Sequence, residues 1–197
     1  MTMQRLDSFT YQDKPAEAIS ISRRFSFTPK NNFGIIVTPC ETSNWRGFWC
    51  DYCIDTSFII KNIYIFAKNL DGLQLFGKNP KEIPEYKNLL DKINEKRKDS
   101  LKYSNGFPMM YEDINYLFKY TGQIVLGINP NTKKYDTERY EKVYEMDYKE
   151  GILVQQKDIT AIWKTANENE TKFWWQEEKN EYFYLINYSF MGIEKKT

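Results

Sequence analysis

The stretch from residue 159 to 190, ITAIWKTANENETKFWWQEEKNEYFYLINYSF, constrains the fold more than any other part of the chain. It divides into three extended segments, 159–165, 171–176 and 182–190, separated by polar breaks at 166–170 and 177–181. Side chains alternate faces along a strand, so Tyr182, Tyr184, Ile186, Tyr188 and Phe190 share one side and Phe183 and Leu185 the other. The middle segment splits the same way, with Phe173 and Trp175 against Trp174. A meander with one dry face needs a single apolar set, and this one carries large rings on both. The surplus predicts a covering element, a lined cavity or a partner.

Alternation of the same kind recurs upstream. Residues 19–27 place Ile19, Ile21, Arg23, Phe25 and Phe27 on one face and Ser20, Ser22, Arg24 and Ser26 on the other, which predicts a half-buried strand. A turn at 29–32 and a returning strand at 33–38 would complete a hairpin. Further strands are expected at 48–54 and 58–68. Asn69-Leu70-Asp71-Gly72 is a turn signal, followed by a short return strand at 73–76. The period then changes. Residues 84–102 bring Tyr86, Leu89, Leu90 and Ile93 to helical spacing, with Pro84 suited to the first turn and Glu85 to the positive helix end. Asn105-Gly106-Phe107-Pro108 stops this helix. Residues 111–118 read as a short second helix with Ile114, Leu117 and Phe118 inward, 120–128 as a strand, and 142–148 with 152–156 as a hairpin across Lys149-Glu150-Gly151.

These pieces predict an α+β fold dominated by antiparallel β. The sheet would be curved or two-layered, meander-like or barrel-like, with roughly nine or ten strands and one main helix at 84–102. Residues 1–18 are polar and aperiodic and are expected as a poorly ordered N-terminal arm, with 19–197 forming a single domain.

Composition narrows the chemistry. The 28 basic and 27 acidic residues leave a formal net charge of +1, so no global field would hold nucleic acid or an anionic membrane. The lysines and arginines of 92–102 are interrupted by Glu95 and Asp99, as on a solvated outer helix face. No apolar run approaches the roughly 20 residues of a membrane span, and the N-terminus lacks the roughly 7–15-residue apolar core of a secretory signal, which points to a cytoplasmic chain. Histidine is absent. That excludes Ser-His-Asp and Cys-His nucleophile systems, HExxH zinc peptidases and two-His-one-carboxylate iron sites. Acid–base chemistry would have to come from carboxylates, Lys, Tyr or Cys.

The three cysteines, Cys40, Cys50 and Cys53, are the weak metal candidates. With no His, a fourth zinc ligand would have to be Glu41, Asp51 or Asp55. If 48–54 is a strand, Cys50 and Cys53 point to opposite faces and share neither a metal nor a disulfide. Trp49-Cys50-Asp51-Tyr52-Cys53 resembles the WCxxC of thioredoxin-like oxidoreductases over five residues. That motif opens a helix, whereas here β-branched Ile54, Thr56, Ile59 and Ile60 follow, with no βαβ pattern around them. Reduced structural cysteines are expected.

No catalytic motif emerges, and no cofactor is expected. The expected function is a non-catalytic binding or inhibitor protein that docks on another macromolecule, for example an immunity-type inhibitor of a cognate toxin. Its contact surface would comprise Trp174, Trp175, Tyr182 and Tyr184 with the acidic rim Glu177 and Glu178. A carrier of a small apolar ligand with a lipocalin-like antiparallel barrel is the alternative. A His-independent enzyme, carboxylate-based or using Cys50/Cys53 redox chemistry, is the further one. A protein partner is expected, with neither nucleic acid nor membrane.

Overall fold

The computed structural model describes residues 7–22, 27–38, 46–66, 70, 72–97, 108–133, 138–165 and 183–184. In chain order these form β1 (Ser8–Tyr11), β2 (Lys14–Ser22), α1 (Pro29–Phe33), β3 (Phe48–Ile54), β4 (Phe58–Phe66), β5 (Lys81–Glu82) and α2 (Pro84–Arg97). There follow β6 (Pro108–Tyr111), β7 (Tyr116–Leu117), β8 (Gly122–Ile128), β9 (Lys142–Lys149), β10 (Ile152–Asp158), α3 (Thr160–Thr165) and β11 (Phe183–Tyr184). This is the α+β class expected, with antiparallel β dominant and three helices among the described residues. None of those helices is long and apolar enough to cross a membrane.

Two compact units share the chain. The first takes Met1–Asp7, Phe27–Tyr52 and Ile60–Tyr116, and the second takes Ser8–Ser26, Cys53–Ile59 and Leu117–Thr197. Their segments alternate along the sequence.

In the first unit the strands run β3-β4-β6-β5, an open path in which β4 meets β6 antiparallel from Ile63↔Tyr111 to Phe66↔Pro108. Phe48, Cys50 and Tyr52 alternate inward along β3 and are buried, as β-period 2 requires. Trp49, from the opposite face, packs with Phe66, Ile83 and Tyr86, and with half-buried Tyr64 and Met110. Helix α2 begins at Pro84 as expected and contributes Tyr86 to that cluster.

In the second unit the path is β10-β9-β8-β2-β1, with β11 pairing β2 at Ile21 and Ser22. The β8–β9 register runs unbroken from Gly122↔Tyr148 to Ile128↔Lys142. Ile19, Val125, Tyr140, Val143 and Ile159 form one core cluster, closed over by Trp163. Gly127 faces the Tyr140 ring so closely that any Cβ would collide with it, and glycine is required there for space rather than for backbone freedom.

Besides residues 73–76, four segments depart from expectation, each for a local reason. Residues 8–18, expected within a poorly ordered arm, are mostly strand: β1 and β2 pair as Phe9↔Ala16 and Tyr11↔Lys14 across a two-residue turn with Gln12 and Asp13 at φ 49° and 60°. Residues 33–38 are not a returning strand. Thr28 caps a helical turn by accepting from the Asn31 N–H at 3.1 Å, Pro29 takes the first position, and Gly34 at φ 71° ends it. The expected second helix at 111–118 is replaced by β6, a break and β7. Asp113 and Asn115 stand at φ 52° and 46°, where a helix cannot continue, and the Asp113 N–H is held by Asn62 Oδ1 at 2.9 Å.

The fourth is 159–165, expected as the first strand of the C-terminal meander and found as α3. Asp158 Oδ1 accepts from the Thr160 N–H at 2.9 Å, opening the helix, and the Trp163 N–H donates to the Ile159 carbonyl at 2.8 Å. Ile159 and Trp163, four residues apart, thereby reach the same core cluster. Of the rest of that meander, only the backbone of β11 lies within the described residues.

Candidate functional site

Beside the turn signal at 69–72, the Leu73 N–H donates to the Leu70 carbonyl at 3.0 Å. No return strand follows at 73–76. A second tight turn follows instead: Leu75 and Lys78 exchange both backbone hydrogen bonds, at 3.0 and 2.9 Å, across Phe76 and Gly77. Both central residues have positive φ, 52° and 75°, the signature of a type I′ turn. Asn-Gly is the usual occupant because a bulky side chain at positive φ crowds its own backbone. Here that place is held by phenylalanine, and the ring is 56% exposed.

Phe76 does not stand alone. Its centroid lies 5.4 Å from Tyr116 in β7, stacked at 30°, and 5.8 Å from Phe33 at the end of α1, edge-on. Phe33 and Tyr116 are 5.1 Å apart, also edge-on, so the three rings close a triangle. Phe33 continues inward to buried Phe27 at 5.8 Å, which meets buried Phe48 at 5.9 Å. A ladder of rings thus ties the surface triangle to the core of the first unit. Three residues beyond Phe33 along the chain, Ile36 is 74% exposed.

Lysines accompany the triangle. Lys78 closes the turn that carries Phe76. Its charge and that of Lys61 both act on the Glu112 carboxyl, four residues before Tyr116, and Lys81 Nζ sits 2.8 Å from Glu112 Oε2. The Lys81 hydrogen bond first, and its charge second, hold Glu112 below the ordinary carboxylate range. Three cations therefore act on one carboxylate, Lys81 by direct contact.

The other candidate chemistry is structural. Strand β3 puts Cys50 on its buried face and half-buried Cys53 on the other, and both are free thiols. Burial, and next the neighbouring Asp7 charge, push the Cys50 thiol well up, which makes it a poor nucleophile. Asp7 in turn accepts from Arg46 Nη2 at 2.9 Å and from the Cys50 N–H at 2.9 Å. Asp51, one of the carboxylates that could have completed a zinc site, accepts from Asn62 Nδ2 and the Tyr64 hydroxyl, each at 2.8 Å, and so ties β3 to β4. Among the described residues no three Cys, Asp or Glu side chains are placed to hold a metal ion.

Of the expected contact residues, Trp174, Trp175, Tyr182, Glu177 and Glu178 lie outside the described residues, as does Cys40, and Tyr184 is described only as backbone in β11. The Phe33/Phe76/Tyr116 triangle was not legible in advance, because its members come from three distant segments. The one local signal was Phe76-Gly77 between Leu75 and Lys78, a turn pair with an aromatic in the polar position.

No family model matches the chain, and no curated protein or solved structure matches it either.

Proposed function

We propose that the chain is a non-catalytic binding protein that docks on another macromolecule and blocks it, an immunity-type inhibitor of a cognate toxin being the concrete case. The observation that supports this reading is Phe76: a large apolar ring held in water on a turn whose backbone geometry disfavours it. Strain of this kind, on the order of 1–3 kcal/mol, persists where the surroundings enforce it and tends to mark contact or active sites. Exposed aromatics in a small cluster are the usual hot spots of protein interfaces. The aromatic-acidic set at Trp174, Trp175, Tyr182, Tyr184, Glu177 and Glu178 is proposed as a second contact region on its sequence pattern. Among the described residues no observation favours the apolar-ligand carrier: the strand paths are open, and Phe58, Tyr120 and Tyr148 are buried against one another.

The test is affinity capture from the native host with the wild-type chain, Phe76→Asn, and the pair Trp174→Ala and Tyr184→Ala. A partner retained by wild type and lost by Phe76→Asn supports the triangle. Loss only with the Trp174 and Tyr184 variants moves the contact to the C-terminal segment. Equal recovery by all four sinks both surfaces.

A further inference from the structure

We infer that the Phe33/Phe76/Tyr116 face takes an acidic protein segment carrying one apolar anchor residue. The anchor meets the three rings and the carboxylates meet Lys61, Lys78 and Lys81. This deepens the docking reading above and rests on it.

The apolar half of the inference comes from how the rings are arranged. Phe76 and Tyr116 stack on each other and Phe33 meets both edge-on, so much of their facial area is spent within the triangle. Phe76 is still more than half exposed, and that outward surface suits an aliphatic or aromatic side chain set against it. A single-stranded nucleic acid needs open ring faces for successive bases. It also needs an uninterrupted cationic track for its phosphates, and here Glu112 and Asp113 stand among the lysines. The arrangement therefore favours a peptide over a polynucleotide.

The acidic half comes from charge. Lys61, Lys78 and Lys81 all act on Glu112, and only Lys81 contacts it directly at 2.8 Å. Set against Glu112 and Asp113, the three lysines leave one positive charge in excess, and Lys61 and Lys78 make no direct contact with either carboxylate in the contacts described. Complementary charge steers a partner and fixes its register more than it adds raw affinity, which matches exposed lysines beside an apolar hot spot. The polarity is opposite to that of the acidic rim at Glu177 and Glu178, which would prefer a basic partner.

Positive-φ backbone carries or leads into two of the three rings. Phe76 at φ 52° carries one ring, while Asp113 and Asn115, at 52° and 46°, lead directly into Tyr116. The Asp113 and Ile114 N–H groups are pinned to Asn62 Oδ1 and the Lys61 carbonyl, each at 2.9 Å, so the segment is set before a partner arrives. Presetting of this kind reduces the ordering cost of association.

The experiment measures fluorescence anisotropy of a labelled peptide of about ten Asp and Glu residues with one central Leu, at roughly 50 mM and 200 mM salt. The expected result is binding that weakens with salt, and that falls at least about tenfold with Phe76→Asn or Phe76→Gly. The double variant Lys61→Gln/Lys78→Gln should weaken it about two- to fivefold. Glu112→Gln should tighten it by about twofold, because it releases Lys81 and removes a repelling charge. A merely structural role would not produce that opposite sign. Thermal melts on every variant confirm folding, and Gly at position 76 suits the positive φ.

Several outcomes overturn the inference: no binding, equal binding of a Gln/Asn version of the peptide, indifference to position 76, or tighter binding of an oligo-dT of equal length. The docking reading is judged separately by host capture. If Phe76→Asn loses a captured partner while the acidic peptide fails, the surface stands and only its acidic preference falls.

Discussion

Each unit contains a cluster of aromatic rings at nearly the same spacing, and they serve opposite ends. In the second unit Phe58 meets Phe118, Tyr120 and Tyr148 at 5.9, 5.2 and 5.5 Å. All four are buried, and the hydroxyls are satisfied inside: Tyr120 donates to the Gln123 carbonyl and Tyr148 to the Asp55 carbonyl, both at 2.7 Å. In the first unit Phe33, Phe76 and Tyr116 pack at 5.1 to 5.8 Å with Phe76 more than half in water. Ring-to-ring distance therefore does not separate core from surface. The difference lies in what carries the rings. Phe58 and Tyr148 rise from strands of the sheet, with Phe118 and Tyr120 in the link from β7 to β8, whereas exposed Phe76 sits on a turn and half-buried Phe33 and Tyr116 on a helix end and a two-residue strand.

The comparison breaks first, if it breaks, at Phe58. Phe58→Ala opens a cavity among three rings and is expected to cost about 3–5 kcal/mol in urea unfolding. A loss below about 1 kcal/mol would mean that the sealed cluster is not a core. Next comes a single methyl group. Gly127→Ala drives a Cβ into the Tyr140 ring, which is buried and whose hydroxyl is fixed to Glu17 at 2.9 Å, so about 1–3 kcal/mol of destabilisation is expected from the same measurement.

In the open cluster the removal of an entire ring should matter less than that methyl. Phe76→Asn relieves the turn while giving up two ring contacts, terms of similar size and opposite sign, and stability should move by less than about 1 kcal/mol. A cost above about 2 kcal/mol would show the triangle to be a structural element and remove the strain argument.

The smallest effect sharpens the picture by pH. Burial pushes the Tyr120 phenol up to about 12 from the ordinary value of 10. Between those values the unfolded chain releases the proton while the folded one keeps it, so the contribution is complete below pH 10 and is lost as pH climbs towards about 12. Tyr120→Phe should flatten the alkaline part of the stability–pH curve, and an unchanged slope would contradict the sealed reading.

Part of the sheet was legible: β3, β4, β8, β9 and β10 fall close to the spans expected for them, and α2 begins where Pro84 and the helical period said it would, whereas β1, the first half of β2, β6 and β7 were not anticipated. The errors came where two local readings compete. Ile159 and Trp163 satisfy a four-residue helical spacing as well as a strand run, and the Asp158 cap decides for helix. Residues 29–34 carried the full set of short-helix signals, Thr28, Pro29 and Gly34, beneath an apolar run that resembled a strand. The candidate site was illegible for a different reason. Phe33, Phe76 and Tyr116 are spread over more than eighty positions, and only the folded backbone of the first unit brings them within 6 Å.

The two units exchange the chain repeatedly: six alternating segments, hence five passages from one to the other. Neither unit is a contiguous stretch of chain, so neither can be cut out alone by truncation or moved by a simple fusion at one junction. A recombination junction placed anywhere between Ser8 and Tyr116 would divide both units at once.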